Sequence, residues 1–140
     1  MRCGVLLAAL LLASNAFAQA LNVTVLTDRL ENPWGLAFLP DGRMLLTERV
    51  GRLWLLDAHG KKLVQVGNVP ASFVKLQGGL FDVVLHPQFA ANGQLYFSYL
   101  KPAGEQSAVT VARGRFDGSA VTTGVRPAVR PTDMATATPR

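Results

Sequence analysis

The sequence has a single cysteine among its 140 residues, Cys3, so no disulfide can form within the chain. It also lacks a hydrophobic run long enough to cross a bilayer, which takes about 20 apolar residues. The apolar run near the start, from Val5 to Ala13, has nine. After residue 20, no stretch places its apolar residues at the 3.6-residue period of a helix. These absences exclude a disulfide-stapled domain and a mainly helical fold.

The first 20 residues have the three-part layout of a secretory signal peptide. A positive start at Arg2 is followed by the apolar run and by Ala-Phe-Ala at 16–18, a small-x-small cleavage site; Ala-Gln-Ala at 18–20 is a second choice. A membrane anchor is the alternative, but the run is too short to span. We therefore predict a signal peptide over residues 1–20, a periplasmic or secreted mature chain, and no membrane span after cleavage.

The charge of the chain points to no particular partner. There are 14 basic and 9 acidic residues, and loss of Arg2 with the signal peptide leaves 13 basic residues and a net charge of +4. The basic residues are scattered, and only Lys61 and Lys62 are adjacent. Nucleic-acid binding requires a basic stripe with groove-reading or aromatic elements, so we predict no nucleic-acid partner.

The rest of the chain predicts an all-β fold. Alternating β-branched residues predict a strand over 22–27. Four more short strands, separated by tight turns, then predict an antiparallel meander over 35–39, 43–48, 52–57 and 61–66. Pro40-Asp41-Gly42 is the strongest turn signal, because proline presets φ, aspartate bonds its own backbone and glycine tolerates positive φ.

The strand pattern then begins again, over 79–85, 94–100 and 108–116. Pro87 follows Pro40 at a step of 47, and Gly93 follows Gly42 at a step of 51, which implies four inserted residues. A repeat of about 40–50 residues made of four short strands is typical of propeller blades. Two unrelated hairpins of a β-sandwich are the alternative.

Two segments carry a family resemblance. Residues 30–57 are LENPWGLAFLPDGRMLLTERVGRLWLLD, and residues 77–99 are QGGLFDVVLHPQFAANGQLYFSY. Both resemble the glucose/sorbosone dehydrogenase family of soluble PQQ-dependent sugar dehydrogenases, in which such segments open the first and second blades. The resemblance covers roughly residues 22–118.

The resemblance implies a six-bladed, usually periplasmic β-propeller that binds pyrroloquinoline quinone (PQQ) and calcium at one end of its channel. It implies oxidation of the C1 hydroxyl of an aldose to a lactone, with hydride transfer to the quinone. The family's catalytic histidine lies in a downstream motif that this chain lacks. We therefore expect the chain alone to be inactive, we assign no catalytic residue or metal ligand, and we have no reason to expect that it binds PQQ or calcium alone.

The length fits about two blades, which we place at residues 21–118 as the N-terminal part of an incomplete propeller. Residues 119–140 contain no aromatic residue and one acidic residue and lack strand periodicity. We interpret them as a disordered or frame-shifted tail. A non-catalytic exported β-propeller-like protein, with a binding or structural role, is the alternative function.

Only Gln77 matches a functional residue of the family, where the equivalent glutamine contacts the sugar. A side-chain amide both donates and accepts hydrogen bonds, which suits a hydroxyl, and Gly78 and Gly79 would let the backbone approach a ligand. The alternative is an ordinary surface loop. The resemblance therefore implies that Gln77 binds the aldose substrate.

Other candidates have simpler interpretations. His86 precedes a proline and His59 lies in an Ala-His-Gly turn, so both are predicted at turns, and they imply no zinc site. Trp34 could edge the cleft, but packing between blades is the better interpretation. Four acidic residues lack the spacing of a calcium loop: Asp28, Glu31, Asp82 and Glu105.

Overall fold

A computed structural model describes residues 21–104, 106–121 and 126–127, and the predicted signal peptide lies outside these ranges. The described part is built from two four-stranded antiparallel sheets. Blade 1 contains β1 (Pro33–Phe38), β2 (Met44–Glu48), β3 (Arg52–Leu56) and β4 (Lys62–Gln65). Blade 2 contains β5 (Leu80–Leu85), β6 (Gln94–Ala103), β7 (Gln106–Arg115) and β8 (Arg126–Pro127), with a single helical turn, α1 (Phe89–Asn92), between β5 and β6.

Both sheets are meanders in which each strand pairs with the next along the chain. This confirms the four predicted strands of blade 1 and the three of the second set, whose ends move by one or two residues in most cases. The strand predicted over 22–27 is wrong, because the structure gives those residues no strand. A segment without a hydrogen-bonded neighbour leaves its backbone groups without a ladder, and none of the described strands pairs with this one.

The repeat is visible in the register of the two inner hairpins. Leu36 pairs with Leu46 in blade 1, and Val83 pairs with Phe97 in blade 2, at steps of 47 and 51. Each inner strand also has a one-residue irregularity just before this pair. The four residues of α1 account for the difference between the two steps. Two blades built on one frame are therefore confirmed.

In both blades, a side-chain hydroxyl accepts a hydrogen bond from a backbone N–H at the irregularity. The Gly35 N–H donates to Thr47 Oγ1 at 2.8 Å in blade 1, and the Asp82 N–H donates to Ser98 Oγ at 3.1 Å in blade 2. The Thr47 hydroxyl in turn donates to the Phe81 carbonyl, so it also joins the two blades. A free strand N–H at such an irregularity requires a partner, and a short hydroxyl side chain supplies one.

The blades pack face to face around one apolar core. The face of β6 formed by Leu95, Phe97 and Tyr99 is buried in it, as its alternation predicts. The other buried members are Ala37, Leu39, Leu45, Leu53, Leu55, Val66, Leu80, Val83, Ala112, Phe116 and Val121. A smaller cluster on the opposite face of blade 1 joins Met44, Leu46 and Leu56 to Leu30 and Trp54.

The chain stays in the fold beyond residue 118. Val121 is 3% exposed, bridges to Phe116 and donates its N–H to the Gly67 carbonyl at 3.0 Å. The two residues of β8, Arg126 and Pro127, also pair with β7. For residues 119–121 and 126–127 the prediction of a disordered tail is wrong, because backbone pairing holds them against the sheets. The remaining residues of the predicted tail lie outside the described ranges.

Candidate functional site

Gln77 lies in a tight turn at one end of the two sheets. The turn runs from Lys75 to Gly78, closed by a 2.7 Å hydrogen bond from the Gly78 N–H to the Lys75 carbonyl, and it leads into β5. The Gln77 side chain is exposed. The starts of β1 and β5 and the end of β2 meet at this same end of the molecule. The amide is therefore open to solvent at the mouth of the interface between the blades.

The two glycines after Gln77 allow close approach, but to the protein itself. A Cβ on Gly79 would lie 2.0 Å from the Arg49 carbonyl oxygen, and one on Gly78 would lie 2.4 Å from Leu100 Cδ2. The Gly79 carbonyl also accepts a 2.8 Å bond from the Leu100 N–H. These glycines seat the Gln77 turn against both blades, and any side chain there would push the turn away.

The turn adopts a backbone conformation that its sequence disfavours. Leu76, next to Gln77, has φ of 52° and is 85% exposed. A left-handed conformation costs an L residue about 1–2 kcal/mol, and an exposed leucine gains nothing from burial. The turn must therefore be held by contacts from outside it.

Arg49 supplies such a contact from blade 1. Its Nη1 donates to the Leu76 carbonyl, while its own backbone N–H donates to the Asn32 carbonyl at 3.0 Å and its carbonyl accepts from the Leu80 N–H at 3.0 Å. Sequence reasoning missed this residue. Its only signal is a position in the TERVGR segment, in the turn between β2 and β3.

An aromatic pair crosses between the blades near the same end. The rings of Trp34 and Phe81 are 5.1 Å apart at 48°, and the two residues occupy equivalent places on β1 and β5. Trp34 remains 51% exposed. It therefore packs between blades, as interpreted from the sequence, while about half of its surface stays open.

A buried carboxylate joins the segment before β1 to blade 1. Glu48 Oε1 accepts the Glu31 N–H at 2.8 Å, and Oε2 accepts Arg52 Nε at 2.5 Å, with the Glu48 side chain 1% exposed. Burial alone would raise the pKa of Glu48, but hydrogen bonds from the Glu31 N–H and from Arg52 outweigh it and hold that pKa below its usual value. An ionised, fully bonded carboxylate of this kind serves as a structural tie and not as a proton acceptor.

The histidines have turn roles, as predicted. His86 Nδ1 accepts the Gln88 N–H at 3.0 Å, lies 3.0 Å from the Asn92 amide nitrogen, and its ring stacks on Tyr96. His59 is exposed in the turn after β3, where its backbone N–H donates to Asp57 Oδ1 at 2.9 Å. Neither ring lies in the turn that bears Gln77.

The acidic candidates do not converge. Asp28 is exposed, Glu31 pairs with Arg52 at 2.5 Å, and Asp82 Oδ1 accepts the Val83 N–H at 2.9 Å. Glu105 lies outside the described residues. Within 21–104 and 106–121, no three His, Cys, Asp or Glu residues are grouped as a metal site requires. The described carboxylates therefore do not form a calcium site with one another.

A cleft of about 420 Å³ opens at the opposite end of the sheets, between the Pro40–Arg43 turn, α1 and residues 115–118. Its Asp41 and Arg43 side chains pair with each other at 2.7 Å. Asp117 Oδ1 accepts the Ser119 and Ala120 N–H groups. Asp41 and Arg43 are thus engaged with each other and Asp117 with backbone N–H groups. Gln77 remains the candidate that the family motif and the geometry share.

Comparison with known proteins decides the family. The family model described as Glucose / Sorbosone dehydrogenase matches residues 30–130. The chain belongs to the glucose/sorbosone dehydrogenase family. The chain is 43% identical over 96 residues to the aldose sugar dehydrogenase YliI of Escherichia coli, covering 67% of this chain and 26% of that protein.

Solved structures agree with this family. The apo form of the soluble aldose sugar dehydrogenase of E. coli has a TM-score of 0.72 and 38% identity, over 78% of this chain and 32% of that chain. The PQQ-bound aldose sugar dehydrogenase of Streptomyces coelicolor has a TM-score of 0.61 and 28% identity, over 69% and 28% of the two chains. Blades 1 and 2 are therefore part of a β-propeller, as predicted.

The chain spans about a quarter of the length of the curated relatives it matches. None of the helical segments in residues 21–104, 106–121 and 126–127 has the length and hydropathy of a membrane span.

Proposed function

We propose that blades 1 and 2 serve a PQQ-dependent dehydrogenase that oxidises the C1 hydroxyl of aldoses to lactones, with Gln77 binding the sugar. The carrying observation is the exposed Gln77 amide at the end of the sheets, within the segment that matches the glucose/sorbosone dehydrogenase family. Aldose sugar dehydrogenases among the relatives support the substrate class. The PQQ-bound relative supports the cofactor.

Gln77 has the chemistry and the setting for a sugar contact. Its amide can accept from one hydroxyl and donate to another, which fixes the orientation of a ring with many hydroxyls. The turn that carries it is already tied to both blades through Arg49 and Leu100. Binding would therefore order little more than the glutamine side chain, and the cost in conformational entropy is low.

The proposal assigns no general base to the described residues. Removing the hydroxyl proton requires a group within hydrogen-bond reach of the sugar, whereas His86 is engaged in its turn and Glu48 in its buried tie. We also assign none of these residues to PQQ or calcium. The 140-residue chain alone is therefore expected to show no dehydrogenase activity.

A chimera tests this function directly. Residues 30–118 would replace the aligned residues of the E. coli aldose sugar dehydrogenase, and dye-linked aldose oxidation would be measured with PQQ and Ca²⁺. We expect an active chimera in which Gln77→Ala raises KM about five- to tenfold, the loss of about one hydrogen bond. Gln65→Ala, an exposed glutamine on β4, is the matched control and should leave KM unchanged.

Two results would contradict the proposal. An unchanged KM in the Gln77→Ala chimera would remove the glutamine from the sugar site. Turnover by the 140-residue chain itself would show that the chain supplies its own base.

We also propose that residues 1–20 direct export to the periplasm or outside the cell. The mass of the protein recovered from the periplasmic fraction of a Gram-negative host should correspond to cleavage after Ala18 or Ala20. Recovery of uncleaved chain in the cytoplasm alone would contradict this.

A further inference from the structure

We infer that Arg49 is a positioning residue that holds the turn bearing Gln77 in one conformation, and the link to substrate binding rests on the function proposed for Gln77. The closing hydrogen bond of the turn joins Lys75 and Gly78, so the two central residues, Leu76 and Gln77, depend on their own backbone preferences. Leu76 has φ of 52° with an exposed side chain, which opposes the observed conformation.

The contact that offsets this opposition comes from the other blade. Arg49 Nη1 donates to the carbonyl of Leu76 itself, the residue in the unfavourable conformation. A bond from a charged donor is about twice as strong as one between neutral groups. The arginine thus acts on the peptide that joins Leu76 to Gln77 and sets the direction in which the glutamine leaves the turn.

Arg49 is itself held in place and is not engaged elsewhere as an ion. Backbone bonds to Asn32 and Leu80 fix its main chain on both sides. None of the ion pairs formed by residues 21–104 and 106–121 includes it. Its Nε is buried without a hydrogen-bond partner in the same ranges. An unpaired buried N–H lowers the stability of the fold. The hydrogen bond from Nη1 to the Leu76 carbonyl therefore explains the presence of an arginine at this position better than a general contribution to folding does.

Amide hydrogen exchange of the full 140-residue chain tests the inference without any need for activity. Arg49→Met keeps the length of the aliphatic stem and removes the donor. It should raise exchange of the Gly78 amide, whose N–H closes the turn, about tenfold, while amides of β2 and β6 stay unchanged. Arg43→Met is the matched control, because Arg43 pairs only with the exposed Asp41 at the opposite end in the described structure. Unchanged exchange at the turn in folded Arg49→Met would overturn the inference.

A second variant separates positioning from folding. Leu76→Gly removes the conformational penalty, because glycine adopts positive φ readily. In that background Arg49→Met should raise turn exchange by less than about threefold, since little strain remains to be held. A tenfold rise in the double variant as well would show that the inference is wrong. If Arg49→Met alone does not fold, adding Leu76→Gly should restore a folded chain, and failure to do so would also overturn the inference.

The link to the sugar is tested in the chimera described above. Arg49→Met should raise KM for the aldose with a smaller change in kcat, and Arg49→Lys, which keeps a charged donor, should recover part of the loss. The two proposals fail differently. If Gln77→Ala leaves KM unchanged, the proposed role of Gln77 fails, while the exchange results still decide whether Arg49 holds the turn.

Discussion

In blade 1 all five residues of β2 are buried, whereas in blade 2 the equivalent strand β6 alternates between buried and half-buried residues over its first six positions. The two strands share one register and one hydroxyl-bonded irregularity. Their difference lies in what covers them. β2 has blade 2 on one face and the cluster around Leu30 and Trp54 on the other, while β6 packs on blade 1 through one face. The backbone hydrogen-bond pattern is therefore the same in both blades, whereas the burial of each strand depends on which elements pack against its two faces.

The largest effect is expected at the interface between the blades. Phe97 is fully buried on the packed face of β6, and Phe97→Ala should lower the free energy of unfolding by roughly 3–5 kcal/mol through lost burial and a cavity. Val109→Ala on β7, where the valine is 62% exposed, should change it by less than about 0.5 kcal/mol. Urea denaturation of both variants measures the difference. Similar losses in the free energy of unfolding for the two variants would contradict the difference in burial between the two faces of blade 2.

A smaller loss is expected on the second face of blade 1. Glu48→Gln keeps the size of the side chain but removes the charge that Arg52 and the Glu31 N–H bind, and it should cost roughly 1.5–3 kcal/mol in urea denaturation. Asp41→Asn, in the exposed pair with Arg43, is the control and should cost much less. Equal costs would show that burial adds nothing to the Glu48 tie.

The hydrogen bonds of the Glu48 carboxylate should also make the stability of blade 1 depend on pH. Because the pKa of Glu48 is below its ordinary value of 4.5 in the folded chain, the carboxylate contributes stability above pH 4.5 that is lost as pH falls through the folded pKa. The wild-type chain should therefore lose more stability than Glu48→Gln when the pH is lowered below 4.5. Parallel pH curves for the two proteins, from thermal denaturation, would contradict this.

The smallest effect compares the two equivalent hydroxyls. Thr47→Val leaves the Gly35 N–H without its acceptor inside the interface and should cost about 1–2 kcal/mol. Ser98→Ala frees the Asp82 N–H at a half-buried position that water can reach, so its cost should stay below about 1 kcal/mol. The shift of the denaturation midpoint measures the loss of stability for each variant, provided that the denaturant dependence (the m-value) is unchanged. A larger loss for Ser98→Ala would mean that the outer face of β6 is more protected than its burial indicates.

The strands of both blades could be predicted because their signals are local. The Pro40-Asp41-Gly42 turn and the alternation of Leu95, Phe97 and Tyr99 specify a hairpin and a buried face within a few residues. Residues 22–27 show the limit of this reasoning. They have the composition of a strand, but a strand exists only where a paired neighbour lies beside it.

The candidate site could be predicted only in part. Gln77 followed from the family resemblance, since nothing in its local sequence distinguishes it from a surface glutamine. Arg49 could not be predicted, because its bond to Leu76 joins residues 27 apart and arises only when two blades pack. Sequence patterns report on neighbours along the chain, and this contact forms between segments that folding brings together.

The helical turn α1 also bears on how such a chain can change in length. It inserts four residues between two paired strands and leaves the register of β5 and β6 in the same frame as in blade 1. Gly93, with φ of 63°, ends the turn and returns the chain to the sheet. Because α1 lies at the end of the sheets opposite the Gln77 turn, we expect a longer loop or an inserted tag there to leave the surface that would meet a sugar unchanged.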